Sequence, residues 1–447
     1  MQARFRRARA EWAHGVIRAM SYLLALQAII IYQMPDLNAN QTMPDSPAVF
    51  LPDIAASFTC ARCGVCCAAW EIPVDRAAYD RAVAALGDDA RNKLAVADPH
   101  SHYGYARLLL DAGRCGFQEK NLCRIHRDHG EGLLFPECRK FPRILFRTPV
   151  ALHCTASFAC PQMLAGLDRP DRVRVLHVTP GDVSFPPEMC DTSVTEAPSL
   201  CRGKLMAWDA FPALESGLLE LLRSAGGSLE ARLLTVIEFA RSLTQDDDAT
   251  LQKSTVDREL QAARVDSFHE LGSRFLLASH DVAAQAAFIL SLVGTRLRAG
   301  TGAAAAREWE RRPLEAVRAR WGSLPAQECR TRYLDDCRRL YLAADTRVCR
   351  ILENYVICRI AGNPEFVLRD TQAALQTVAA LLALSRAAAV ALAATAPSPA
   401  GTSPIAPKTM LAAIRAVDTA FFHLPDFADL VRKQPIDPVA MLVITPG

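Results

Sequence analysis

Cysteine is the residue through which this chain could do chemistry, and its spacing says what kind. Nine of the fifteen cysteines fall between Cys60 and Cys160. They open as Cys60-Ala-Arg-Cys63-Gly-Val-Cys66-Cys67, continue through Cys115, Cys123 and Cys138, and close with Cys154 and Cys160-Pro161. A thiolate is a soft ligand that selects zinc, copper(I) or iron–sulfur clusters, and a Cys-x2-Cys step lets two thiolates from one tight turn reach the same centre. The bacterial iron–sulfur run is three cysteines two residues apart with a further Cys followed by Pro. Here the Cys-Pro comes much later, at Cys160-Pro161.

Disulfides fit this pattern poorly. Nine is an odd count, adjacent Cys66 and Cys67 are awkward to bridge, and a chain of this length does not need staples. Zinc is the alternative metal, because Cys123-x2-His126 has suitable spacing. Iron–sulfur ranks above it. Cys190, Cys201, Cys329, Cys337, Cys349 and Cys358 have spacings that fit helix faces and read as core filler.

The elements that must position these ligands are short. Trp70, Ile72 and Val74 alternate with polar or small residues as in a strand, Asp75 stands where a helix N-cap belongs, and 76–86 has helical spacing up to Gly87. Residues 103–111 read as a strand leading to Cys115, and Cys115 to Cys123 as strand, turn at 119–121, strand. Around Cys138 a proline on each side, Pro136 and Pro142, pins the backbone into a rigid loop. Arg139, Lys140, Arg143 and Arg147 surround it with positive charge that would offset a thiolate cluster and lower thiol pKa values.

At 447 residues the chain exceeds the size at which one core stops growing, so two domains are expected. Half the residues are hydrophobic and the net charge is +3, which excludes a disordered chain and a strongly nucleic-acid-like one. The expected fold is mainly α: a small irregular cysteine-rich metal-binding domain with short strands, at 46–165, then a linker at 166–204 with a strand at 173–178, then a helical bundle domain at 205–447. Helical periodicity covers 207–224, 228–243, 257–271, 274–297, 303–321, 326–360 and 370–396, with a last helix at 409–422. Gly226, Gly300 and Gly362 sit where C-caps belong. The alanine-rich stretch at 371–396 is long enough to suggest a membrane span. Gln372, Gln376 and Arg386 interrupt it, so a buried helix and no stable span are expected.

Residues 1–45 read as an N-terminal extension. Arg4, Arg6, Arg7 and Arg9 precede an apolar run at 19–32 that is short for a span, and no small-x-small cleavage site follows. It reads as an accessory amphipathic helix or as sequence upstream of the true start, with Met34 or Met43 as alternatives. A metal-loaded thiolate cluster argues for a reducing compartment, hence a cytoplasmic protein. There is no strand followed by Gly-x-Gly-x-x-Gly, no Walker sequence and no Gly-x-Ser-x-Gly elbow.

The array Cys60-x2-Cys63-x2-Cys66-Cys67, the 70–75 segment, Cys115, Cys123-x-Ile125-His126 and Pro136-x-Cys138-Arg139-x-Phe141-Pro142 resemble the YkgJ-type cysteine-cluster family, described as zinc- or iron-chelating. More of the chain, roughly 58–427, resembles the FliB-type flagellin lysine-N-methylases. The points of similarity are Cys66-Cys67-Ala-Ala-Trp70, Ser157-Phe158-Ala159-Cys160-Pro161, Leu352-Glu353-Asn354-Tyr355 and the final helix at 411–422. The tight first cysteine spacing is closer to the generic cluster family. The resemblance implies a protein-lysine N-methyltransferase with S-adenosylmethionine as donor, an iron–sulfur cluster, in the first place 4Fe-4S, and flagellin or another protein with surface lysines as acceptor. Its metal ligands would come from Cys60, Cys63, Cys66, Cys67, Cys115, Cys123, Cys138 and Cys160. A lysine amine, with a reference pKa of ~10.4, must lose its proton before it attacks a sulfonium methyl. Glu353 and Tyr355 are the candidates for lining the acceptor site, with Asn354 as hydrogen-bonding neighbour. Their helical phases differ, so a structural role for each competes. The alternative function is a non-catalytic zinc- or iron-binding protein, which would not need so long a helical domain.

Overall fold

The structure is a computed structural model that describes residues 48–65, 72–96, 105–111, 114–120, 122–179, 183, 190, 193–224, 227–245, 248–266, 282–299, 308–395, 404–422, 427–432 and 442. The N-terminal extension at 1–45 lies outside the described residues. The chain forms two compact units, one built on Cys60–Phe141 and the other on Met43–Thr59, Pro142–Leu297 and Glu308–Gly447. The first described strand, β1 (Ala48–Pro52), belongs to the second unit.

The cysteine-rich unit is a set of small sheets and short helices around one core. Strands β2 (Pro73–Val74), β3 (Leu94–Val96) and β4 (Ala106–Leu108) form a sheet in the order β2-β4-β3. Two hairpins follow, β5 (Leu110–Asp111) with β6 (Arg114–Cys115), and β7 (Gln118–Glu119) with β8 (Leu122–Cys123). Helix α1 (Arg76–Leu86) starts at Asp75, whose carboxylate accepts the Ala78 N–H at 2.8 Å, and ends at Gly87 with φ of 59°. Both caps agree with the sequence signals. Helices α2 (Asp88–Lys93), α3 (Arg124–His129) and α4 (Pro136–Lys140) complete the unit. Val74, Ala78, Ala82, Leu94, Leu108, Phe117, Ile125 and Phe135 form its core, and Cys115, Cys123 and Cys138 pack at the edge.

Cys138 sits on a helical turn rather than in an extended loop. Pro136 occupies the first helical positions, where its missing N–H costs nothing, and the restriction falls on Phe135, which is extended at ψ 147°.

The second unit holds a mixed sheet in the order β11-β1-β10-β9, with β9 (Arg143–Arg147), β10 (Ala151–Ala156) and β11 (Val175–Val178). Strand β1 runs parallel to β10 and antiparallel to β11. This pairing redraws the expected domain boundaries. Residues 46–59 and 142–165 belong with the helical unit because β1 and β10 are neighbours, and 166–204 is part of the same body, since β11 pairs with β1. Strands β12 (Ser199–Cys201), β13 (Lys204–Met206) and β14 (Thr250–Leu251) form a further small sheet.

Every residue of β10 is buried, so it reads as a continuous run instead of alternating. In register, Phe146, His153, Phe50 and His177 line up across the sheet. The His153 ring stacks between Phe146 (centroids 4.8 Å) and Phe50 (5.3 Å). Burial pushes its pKa down to about 3, so this imidazole is neutral.

The remainder of this unit is helical, as expected from the 3.6-residue period: α5 (Pro161–Ala165), α6 (Ala210–Arg223), α7 (Leu229–Ser242), α8 (Lys253–Asp266), α9 (Val282–Ala299), α10 (Glu308–Trp321), α11 (Ala326–Asp336), α12 (Thr346–Ile360), α13 (Thr371–Thr395), α14 (Pro407–Val417) and α15 (Phe427–Arg432). The stretch at 326–360 is two helices, not one. A π turn at Cys337–Tyr341 closes α11, and Asp345 then caps α12 by accepting the N–H groups of Arg347 (2.8 Å) and Val348 (3.1 Å). Another π turn, Asp418–Phe422, ends α14.

Helix α13 is long and apolar enough to cross a membrane, yet 83% of its most apolar window is buried among its neighbours. It packs against α7, α10, α12, α14 and α15. Arg386 within it is fully buried and donates to Glu230 of α7 at 3.2 Å, which is how a charge is tolerated on such a helix.

Candidate functional site

The turn at Cys60 folds back on its own sulfur. Cys60 Sγ accepts the backbone N–H of Arg62 at 3.3 Å, with Arg62 at φ +53° and Gly64 at φ +69°. A non-glycine residue in the left-handed region costs of order 1 kcal/mol, and such strain concentrates at functional sites. Cys115 repeats the arrangement by accepting the Phe117 N–H at 3.4 Å. An N–H donated to sulfur favours the charged thiolate over the thiol, and it wraps backbone around one side while leaving the other for a metal.

One glutamine ties these turns to a third cysteine. Gln118 Nε2 donates to Gly64 O at 2.9 Å, and Gln118 pairs with Cys123 across β7 and β8. Cys123 is also the cap residue that opens α3, which carries His126. Cys60 and Cys63 are exposed, while Cys115, Cys123 and Cys138 are half-buried. Among the described residues, no three His, Cys, Asp or Glu side chains are gathered closely enough to hold one ion. Cys66 and Cys67, which complete the first run, lie outside the described residues. The turns at Cys60 and Cys115 could each offer a thiolate, and the described residues do not by themselves complete a ligand shell.

Two cysteines of the array lie in the other unit. Cys154 is fully buried in β10, and burial pushes its thiol up to about 12, which suits core filling and opposes metal ligation. Cys160 is buried and opens α5. The basic residues near Cys138 have separate employments. Lys140 pairs with Glu137 at 2.7 Å, and Arg143 donates to Ala55 O and Phe58 O, both at 3.0 Å, which clamps the segment before Cys60 onto β9.

Glu353, Asn354 and Tyr355 are all buried on α12, pointing into three different environments. Glu353 is ion-paired with Arg172 (2.9 Å), Arg232 (2.5 Å) and Arg350 (2.6 Å). Burial raises its pKa, and the arginines, Arg232 foremost, outweigh that, so the net shift is downward. Asn354 Oδ1 accepts the Val173 N–H at 2.8 Å, and its amide donates to Leu167 O at 3.0 Å and Asp171 O at 3.3 Å. Tyr355 donates to Asp418 Oδ1 at 3.1 Å, beside the fully buried Arg359. This geometry gives the three residues structural work and does not bring them to one acceptor site. A cavity of about 20 Å³ beside Ile237, Arg241, Gln372, Leu375 and Gln376 has room for a water, not for a nucleoside donor.

Sequence reasoning missed the three arginines paired with Glu353, and Arg223 beside them. The dense run Arg169-Pro-Asp-Arg172-Val-Arg174 was a signal; Arg223, Arg232 and Arg350 carried none. It also missed Asp418, whose Oδ2 accepts the Phe158 N–H at 2.9 Å and so links α14 to the Ser157–Cys160 segment.

The chain matches no known protein family, no curated protein and no solved structure.

Proposed function

We propose that the Cys60–Phe141 unit is a thiolate-ligated metal centre, iron–sulfur in the first place and zinc in the second. The observation that carries this reading is the pair of turns in which Cys60 and Cys115 accept backbone N–H groups on sulfur. Cys60, Cys63, Cys66, Cys67, Cys115, Cys123 and Cys138 are the donors of this unit. A bound metal would supply the cross-link that so small a core lacks. The chain's own part is to hold thiolates on turns whose N–H groups are already committed to sulfur.

Anaerobic purification of the full chain followed by metal and sulfide analysis tests this. Iron with acid-labile sulfide is the expected result, and zinc without sulfide selects the second metal. A folded protein with neither overturns the proposal. Cys115→Ser should lower the metal content.

A second reading, a cytoplasmic protein-lysine N-methyltransferase using S-adenosylmethionine on a flagellin-type acceptor, is favoured by the extent of the helical unit. A metal carrier has no use for α6 to α15. Its test is mass spectrometry of flagellin incubated with the metal-loaded protein and the donor. Lysines heavier by one methyl support it; unchanged lysines leave the metal carrier.

A further inference from the structure

Three guanidiniums pair with one carboxylate in the helical unit, and a fourth arginine stands beside them. Arg172 comes from the segment after α5, Arg223 from the end of α6, Arg232 from α7 and Arg350 from α12, which also carries Glu353. Glu353 Oε1 takes Arg172 and Arg232, and Oε2 takes Arg350, so both of its oxygens are committed. Arg223 has no carboxylate partner among the described residues; it donates to Val173 O at 3.0 Å, while its own carbonyl accepts from Arg172 at 2.8 Å. Four positive charges against one negative charge leave an excess of three in a half-buried place. The nearby carboxylates do not correct this. Asp53 is held by Arg169 and Arg174, and Asp168 by Arg347.

The imbalance has physical marks. Burial first, and then the charge on Arg172, lower the pKa of Arg223 against the weaker opposing pull of Cys358, Asp53 and Glu353. Arg172 Nε is buried 2.9 Å from Glu353 Oε1 without hydrogen-bond geometry, so that edge of the fork is unsatisfied. Arg232 and Glu353 form the closed floor of the cluster. Arg172 and Arg350 keep 37% and 31% of their side chains exposed, which leaves access from solvent.

We infer that the Arg172, Arg223 and Arg350 guanidiniums over Glu353 form a binding site for a phosphate group. Planar forks of this kind match tetrahedral oxyanions, and a multiply charged anion is what offsets an excess of three where water is partly excluded. The group could arrive as free inorganic phosphate or as the terminal phosphate of a nucleotide. This inference is independent of the metal centre and of methyl transfer.

The test is isothermal titration and thermal unfolding of the full chain with inorganic phosphate or ATP, against chloride at matched ionic strength. Saturable binding and a raised midpoint are expected. Affinity for ATP at least tenfold above that for phosphate identifies a nucleotide site; otherwise the ligand is phosphate itself. Arg350→Gln should weaken binding by about tenfold or more, the effect of losing one charged hydrogen bond. Arg350→Lys keeps the charge and should fall between. Arg311→Gln, in an exposed helix pair with Glu315, should bind as the parent does. Glu353→Gln should unfold early in chloride and recover in phosphate. Equal midpoints in phosphate and chloride, or binding unchanged in Arg350→Gln, overturns the inference.

Discussion

Glu215 on α6 accepts the backbone N–H of Gly362, just past α12, on Oε1 at 2.5 Å, while its other oxygen is buried without a partner. Burial pushes this carboxyl up to about 7, opposed by the Gly362 hydrogen bond. A group whose folded pKa exceeds its unfolded value of 4.5 contributes stability that is fully present below pH 4.5 and lost as pH rises through 7. The contribution is about 3 kcal/mol. Urea unfolding between pH 4 and 9 should show this decline, and Glu215→Gln should flatten it and be the more stable protein above pH 8.

Gly362 itself should be irreplaceable. Its φ is +59°, and an added Cβ would collide with the backbone carbonyl of Cys154 on β10. Gly362→Ala should cost more than about 3 kcal/mol, the sum of left-handed strain and a clash that only backbone movement relieves. Gly87→Ala has the same φ and open space around it, but at ψ −133° it lies outside the left-handed well, so backbone strain alone should cost about 1–3 kcal/mol. Thermal midpoints of the two variants measure the difference.

The amide of Asn354 joins α12 to the 167–173 segment by three hydrogen bonds to backbone. Asn354→Ala should therefore destabilise the protein by about 2–3 kcal/mol, since it leaves buried backbone groups unpaired. If denaturant midpoints are unchanged while methyl transfer is lost, the residue serves chemistry and the structural role is wrong.

Cys154 and Cys115 belong to one array in the sequence and should behave oppositely. Cys154→Ala removes a buried thiol from β10 and should lower stability by about 1–2 kcal/mol with metal content intact. Cys115→Ser should lower metal content. Iron and zinc quantified in both purified variants decide the matter.

Much of this protein was written locally. The N-cap at Asp75, the turn before Cys123 and the helices from 210 to 417 follow from cap residues and apolar period, which act within a few residues of one another. The Cys60–Cys67 run likewise raises the expectation of thiolate ligation by spacing alone. What the sequence could not hold were pairings across long separations. That β1 lies beside β10, drawing 142–165 into the helical unit and separating Cys154 from the cysteines before it, depends on strand partners a hundred residues apart. The conversion of Glu353, Asn354 and Tyr355 from a suggestive motif into three buried anchors, and the gathering of Arg172, Arg223, Arg232 and Arg350, were likewise decided by tertiary structure. Charge and hydrogen-bond partners are set by distance in space, and a helix supplies only one side of each contact.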